Sequence, residues 1–245
     1  MSVIYQRTML RQIRSFLSHI KFSIRNRSYS QLGEDLVIAN QLGRLKEITA
    51  KTYLDIGAYH FSILSNTYSL YKNGWHGTVV DCNHDKLKLF KYFRPKDKAI
   101  CAAVVPNNYE KDSIEISSTG AFDGRESVVN NINIHSTAIS KGTLTDVNAI
   151  KIKDLLSQVI VDKGLPTLLS IDIEGLDEIV IKDIDFAKEY PVPIVCIEQF
   201  LSNFTSNYSI LSYRDSLTTQ HMIDNGYSLT SVCGPSCIYI KNDCL

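Results

Sequence analysis

Long apolar runs are missing from this chain; none approaches the roughly 20 residues that a membrane-spanning helix needs. The first residues also lack the continuous apolar stretch of a secretory leader. Paired cysteine spacing is missing too. None of the six cysteines forms a C-x-x-C pair, and Cys233, Cys237 and Cys244 stand without a close histidine, which argues against zinc and against a disulfide framework. Cys82, Cys101 and Cys196 fall in or beside expected buried strands, where a free thiol acts as a small hydrophobe, and a reducing, cytoplasmic setting is the consistent expectation. Acidic residues are absent from residues 1–28, which hold six Lys or Arg. Because the whole chain is neutral, the remainder carries 20 basic against 26 acidic residues. A mildly acidic body weighs against a general nucleic-acid binder. Glycine is sparse, at 12 residues, and nowhere forms the G-x-G-x-x-G turn of a dinucleotide site.

What is present is an ordinary globular composition. The 245 residues are 44% hydrophobic and 21% charged, which suits one α/β domain with a full core. The organising stretch is Thr52–Asp81: an apolar strand closed by Asp55, a turn with the single Gly57, a helix, a glycine turn, and a second strand closed by Asp81. That is a nucleotide-binding βαβ layout, with the ligand across the carboxyl ends of parallel strands. Gly57 leaves the backbone bare where a cofactor approaches, and Asp81 is placed to take both ribose hydroxyls. With one glycine in the turn, a nucleoside ligand without a pyrophosphate, such as S-adenosylmethionine, fits better than NAD.

Around this unit the chain reads as follows. Residues 1–28 form a basic arm in which Leu10, Ile13, Leu17, Ile20 and Ile24 recur at helical spacing beside a basic stripe. Such an arm suits an anionic membrane surface, a partner helix, a mitochondrial presequence, or docking on its own domain. Residues 29–245 are expected to form the main α/β domain. Ser30 is expected to cap a helix through about Leu42, with Leu32, Leu36, Ala39 and Leu42 or Gly43 facing the core. Ser65 or Asn66 caps the next helix, which ends at Asn73-Gly74. A helix over Asp85–Phe93 and a strand over Lys98–Val104 follow the second strand. Residues 105–150 are a polar insertion with short β-like pieces near Ser113–Ser117, expected to be an acceptor-binding flap holding Asp123, Arg125 and His135, or a solvated excursion. A short strand at Ala149–Ile152, a helix at Lys153–Asp162, a strand at Thr167–Ile173 and a helix at Ile179–Ile184 come next. The chain closes with a strand at Pro193–Glu198, a helix over Tyr213–Asn225 and a terminal hairpin around Gly234-Pro235. His221 and the sequons at Asn26, Asn203 and Asn207 are assigned no role.

Six motifs occur in order: Ser30-Gln31-Leu32-Gly33-Glu34-Asp35, Asp55-Ile56-Gly57-Ala58-Tyr59-His60, Ser65-Asn66-Thr67, Gly74-Trp75-His76-Gly77, Asp81, and Asp172-Ile173-Glu174-Gly175. Together they span residues 30 to 175 and resemble the FkbM-type methyltransferases, a resemblance that covers roughly residues 29 to 243. Phe61, Cys82 and His84 depart from the family pattern, each standing where proline is common, which alters local rigidity more than chemistry. The resemblance implies a Rossmann-like class I methyltransferase fold, a mostly parallel seven-stranded sheet ending in an antiparallel hairpin. It implies S-adenosylmethionine as cofactor and a hydroxyl on a sugar, glycan or macrolide-like product as acceptor. A catalytically inactive binding or scaffold protein on the same fold is the rival from another class.

Methyl transfer from a sulfonium needs positioning, exclusion of water, and a group to take the acceptor proton. Asp55 and Gly57 are expected along the methionine and ribose side of the cofactor, with Asn66 and Gln31 over its amino-acid end by resemblance, and Asp81 with Asn83 on the ribose. Asp172 and Glu174, at i and i+2, would share a face if their strand persists. They would orient the acceptor, act as base, or hold a divalent cation with Glu198 as a third carboxylate; otherwise Glu174 caps the following helix. His60 is the nearest histidine and would suit a base near neutral pH, or serve as a packing residue.

Overall fold

The computed structural model describes residues 28–118, 126–128, 143–173, 175–199 and 209–245. The basic arm up to residue 27, three residues expected in the flap (Asp123, Arg125, His135), Glu174 and the sequons at Asn203 and Asn207 lie outside the described residues.

Seven strands form the main sheet: β1 (Thr52–Ile56), β2 (His76–Asp81), β3 (Lys98–Cys101), β8 (Leu168–Ile171), β9 (Ile194–Glu198), β10 (Tyr227–Cys233) and β11 (Ser236–Lys241). Their order is β10-β11-β9-β8-β1-β2-β3. The five strands from β9 to β3 run parallel, and β11 joins β9 antiparallel, carrying β10 as its hairpin partner. This is the Rossmann-like arrangement expected from the sequence. Every residue of β1 is buried because both faces of the sheet are covered. On one face Leu54, Ile56, Val80, Leu169 and Ile171 pack under α4 (Ile152–Lys163) and α5 (Asp177–Lys182). On the other, Tyr53, Val79, Leu168 and Ile194 pack with Ile38 of α1 (Glu34–Leu42), Leu70 of α2 (Tyr68–Lys72) and Phe90 of α3 (His84–Phe93). Among the described residues no helix is long and apolar enough to cross a membrane.

Besides the N-cap of α2, which is Thr67 and not Ser65 or Asn66, the structure departs from the expected elements in four places. First, α1 begins at Glu34, not Ser30, because Gly33 takes a left-handed φ of 94° and ends the preceding loop. The face turned inward is Glu34, Asp35, Ile38, Gln41 and Leu42, whereas Leu32 and Leu36 are 55% and 52% exposed. Asp35 explains this rotation: its carboxylate accepts from the Ser28 hydroxyl, the Tyr29 N–H and the Ser30 hydroxyl at 2.7–2.9 Å, so a polar residue is buried with its bonds satisfied.

Second, the expected strand Lys98–Val104 divides at Ala102. β3 stays in the main sheet, while β4 (Ala103–Val105) leaves it for a second sheet. That sheet has the order β4-β7-β5-β6, with β5 (Ser113–Ser118), β6 (Glu126–Val128) and the nine-residue β7 (Thr143–Lys151), so the short strand expected near Ala149 is the end of a longer one. Ala103, Val105, Ile114, Ile116 and Val147 form its own small core. Third, the helix expected over Tyr213–Asn225 is two, α6 (Ile210–Arg214) and α7 (Leu217–Asp224). Ser216 caps the second, accepting from the Thr219 N–H at 3.0 Å. Fourth, β8 ends at Ile171, so Asp172 stands in a loop and the premise that placed Asp172 and Glu174 on one strand face does not hold. All six cysteines are free; Cys196 and Cys237 are buried, but Cys101, expected in a buried strand, is exposed.

Candidate functional site

Strand order reverses at β1: the next strand in sequence lies on one side, and β8, reached much later, lies on the other. Parallel sheets open a crevice at such a switch point, outside the carboxyl ends of the strands. A cleft lies there, lined by Gly57, Asp81 and Asp172, with Gln31 and Leu64 on its wall.

Gly57 is required by the backbone. Its φ is 81°, and a Cβ at this position would stand 1.6 Å from the Asp172 carbonyl oxygen. The Gly57 and Ala58 N–H groups both donate to the Val80 carbonyl, at 2.8 and 3.0 Å, and the Asp172 N–H donates to Ile56 at 2.9 Å. The glycine therefore lets the exits of three strands close against one another. The sequence had suggested only room for a ligand. After it, Tyr59 and Leu64 hold left-handed φ values of 50° and 52°, a conformation that side chains disfavour. Both residues line the cleft.

Asp81, at the end of β2, is fixed by two backbone donors: Tyr59 N–H to Oδ2 at 2.8 Å and Asn83 N–H to Oδ1 at 2.7 Å. These bonds set the plane of the carboxylate on the cleft wall. Asn83 stands beside it as the N-cap of α3, its side-chain oxygen accepting from the Asp85 and Lys86 N–H groups. Beyond Asp81 lies an apolar stretch of wall, built from Ala102 and, from the second sheet, Ala103, Val104 and Ile116.

Asp55 is placed differently from expectation. Its carboxylate is buried, 4% exposed, and is not among the residues lining the cleft. It accepts from the Thr67 hydroxyl, and burial pushes its pKa up while the nearby Arg94 charge opposes that shift. Arg94 is wholly buried at the end of α3. It donates to Asp97 at 2.6 Å, to the Tyr53 hydroxyl at 2.7 Å and to the Thr67 hydroxyl at 2.9 Å. Asp55 thus belongs to a buried polar network that ties the turn after β1 to α2 and α3. Asn66, half-buried, donates to the Ser170 hydroxyl at 3.1 Å and holds its loop against β8. Sequence reasoning missed Arg94 and Asp97: nothing local marks a buried guanidinium, and both read as ordinary charges after a helix.

His60 is 2% exposed and does not line the cleft. Its Nδ1 accepts from the Ser62 and Ile63 N–H groups, each at 3.2 Å, and its ring lies 4.3 Å from that of Phe61. With Nδ1 accepting, a neutral ring carries its proton on Nε2, and the imidazole shapes the loop between Tyr59 and Ser65.

Asp172 is half-buried on the cleft wall. The loop that carries it is held by Asp177, which sequence reasoning also missed. Its two carboxylate oxygens accept from Ile173 N–H at 2.8 Å and Gly175 N–H at 3.0 Å, and burial raises its pKa against the pull of those bonds. Glu198 closes β9 at 7% exposure and is not part of the cleft wall. Among the described residues no three His, Cys, Asp or Glu side chains group as a metal site, so a divalent cation on Asp172, Glu174 and Glu198, one of several roles the sequence leaves open, finds no support there.

The donor set suits a nucleoside with an uncharged aromatic base: a fixed carboxylate for vicinal hydroxyls, an apolar wall beside it, and left-handed backbone at the strand end. A family model described as a methyltransferase FkbM domain matches residues 55–227. That span begins at Asp55 and takes in Asp81 and Asp172, while the Ser30–Asp35 segment lies before it. No curated protein and no solved structure matches the chain.

Proposed function

The chain belongs to the FkbM methyltransferase family, and on that premise we propose that it moves a methyl group from S-adenosylmethionine to a hydroxyl oxygen of a sugar or glycan. The observation that supports this reading is the convergence of Gly57, Asp81 and Asp172 on one cleft at the switch point of the sheet. When bound, the cofactor supplies an activated methyl group: the acceptor oxygen forms a bond to the methyl carbon as the carbon–sulfur bond breaks, leaving S-adenosylhomocysteine and releasing the hydroxyl proton.

The chain's residues supply position. Asp81 takes the ribose hydroxyls with a carboxylate whose plane is already set, so little ordering remains when the ligand arrives. Gln31 reaches the same cleft from the loop before α1. Asp172, half-buried, orients the acceptor hydroxyl and takes its proton; a carboxylate in hydrogen-bond reach contributes on the order of 10²–10⁴ in rate. Closure against water falls to the second sheet, which already brings Ile116 to the wall. A macrolide-like acceptor draws on one observation: Leu64, 46% exposed, offers an apolar surface within the cleft.

The test is transfer of labelled methyl from S-adenosylmethionine to a panel of glycosides, macrolide alcohols, amines and thiols. Label on a sugar hydroxyl, reduced at least about 100-fold by Asp172→Asn, is the expected result. Label on nitrogen or sulfur acceptors, or on no acceptor while the cofactor binds, would overturn the proposal.

A further inference from the structure

Lys86 occupies a place that a cation should avoid. It lies in the first turn of α3, where the helix dipole disfavours positive charge, and it is 1% exposed. It is nevertheless on the wall of the cleft. Its ammonium stands over the Tyr59 ring, 4.2 Å from the centroid, well inside the range of a cation–π contact. Tyr59 is itself held at a φ of 50°, and the N–H of this strained residue is what fixes Asp81 Oδ2 at 2.8 Å. The Lys86 N–H donates to Asn83 Oδ1 at 3.2 Å, and the Asn83 N–H fixes the other Asp81 oxygen. Tyr59, Asp81, Asn83 and Lys86 therefore form one closed arrangement in which each member restrains the next.

We propose that Lys86 is a positioning residue of the nucleoside site: its buried ammonium pins the Tyr59 ring, and through it the strained backbone whose N–H sets the Asp81 carboxylate. A helix-capping asparagine and a strand-end acid would be present without it. What Lys86 adds is the hold on a left-handed tyrosine, a conformation that persists only when its surroundings over-determine it. The proposal rests on the cleft being the S-adenosylmethionine site.

The experiment is calorimetric titration of the full chain with S-adenosylhomocysteine for wild type, Lys86→Met, Lys86→Arg, Tyr59→Leu, Tyr59→Phe and the Lys86→Met/Tyr59→Leu double variant. Lys86→Met and Tyr59→Leu are each expected to weaken binding about tenfold, and the double variant to be no weaker than either, because both break one contact. Lys86→Arg and Tyr59→Phe, which keep the cation and the ring face, are expected within about threefold of wild type. In turnover, the KM for S-adenosylmethionine rises and kcat holds. Additive losses, or unchanged binding by Lys86→Met, would overturn the proposal. If Lys86→Met does not fold, the Tyr59 pair decides: equal loss in Tyr59→Leu and Tyr59→Phe, or loss in neither, refutes it. Failure of wild type to bind would instead overturn the cofactor reading.

Discussion

Asp97→Ala should be among the most damaging single substitutions in this protein. Asp97 and Arg94 form an ion pair at 2.6 Å with both side chains wholly buried. Asp97 Oδ1 also accepts from the Gly77 N–H at 2.8 Å, and the Tyr53 hydroxyl lies 2.8 Å from both carboxylate oxygens. Truncation leaves a guanidinium without its counter-charge in the core, which costs about 3–5 kcal/mol. It also leaves the Gly77 N–H without its acceptor, worth about 1–3 kcal/mol more. A loss of at least about 4 kcal/mol is expected, from a stability that for a domain is about 5–15 kcal/mol. In urea, with a slope of about 3 kcal/mol per molar, the midpoint falls by more than about 1 M. Adding Arg94→Met should recover part of the loss, because an apolar side chain there no longer needs a partner. A loss under about 1 kcal/mol, the range of an exposed pair, would refute the burial argument. So would a double variant less stable than Asp97→Ala alone.

Gly57→Ala should destabilise by about 2–4 kcal/mol and remove nucleoside binding, because a left-handed alanine would also meet the Asp172 carbonyl; chemical denaturation and calorimetry on one preparation check both, and wild-type affinity would contradict it. Burial raises the Asp55 pKa, so above about pH 4 the folded state holds this proton more tightly than the unfolded state does. The stability of wild type relative to Asp55→Asn should then fall as pH rises from about 4 through the raised value, and level off above it; urea midpoints across pH would show an opposite or absent slope if Asp55 were not buried in its charged form's disfavour. The basic segment 1–28 is proposed to hold the enzyme near an anionic membrane bearing a lipid-linked acceptor. Removing it should abolish sedimentation with anionic liposomes, and unchanged sedimentation would discard the idea.

The βαβ unit was legible because its signals are local: apolar strands bounded by Asp55 and Asp81, a glycine between them, and a helix stopped at Asn73-Gly74. Asp81, Gly57, Asp172 and Gln31 do meet at one cleft. What escaped the sequence depends on distant partners. Leu32 and Leu36 sit at core-like spacing, yet α1 turns Asp35 inward because the loop Ser28–Ser30 supplies its donors. Asp55 reads as a ligand at a strand end until Thr67 and Arg94, 12 and 39 positions on, are seen to close over it. Of the second sheet, the β-like piece at Ser113–Ser117 and a strand near Ala149 were legible, the first because Ile114 and Ile116 alternate with Ser113, Glu115 and Ser117 as a strand with one buried face requires; the pairing that joins them depends on distant partners.

The cleft at the ends of β1 and β2 is proposed to bind S-adenosylmethionine through Asp81. This is tested most directly by calorimetric titration of the full chain with S-adenosylhomocysteine, wild type against Asp81→Ala, with NADH in parallel. A micromolar Kd, about 8 kcal/mol, weakened at least about tenfold by the substitution, is expected, with no heat from NADH. Equal affinity for wild type and Asp81→Ala, or heat with NADH alone, would contradict it.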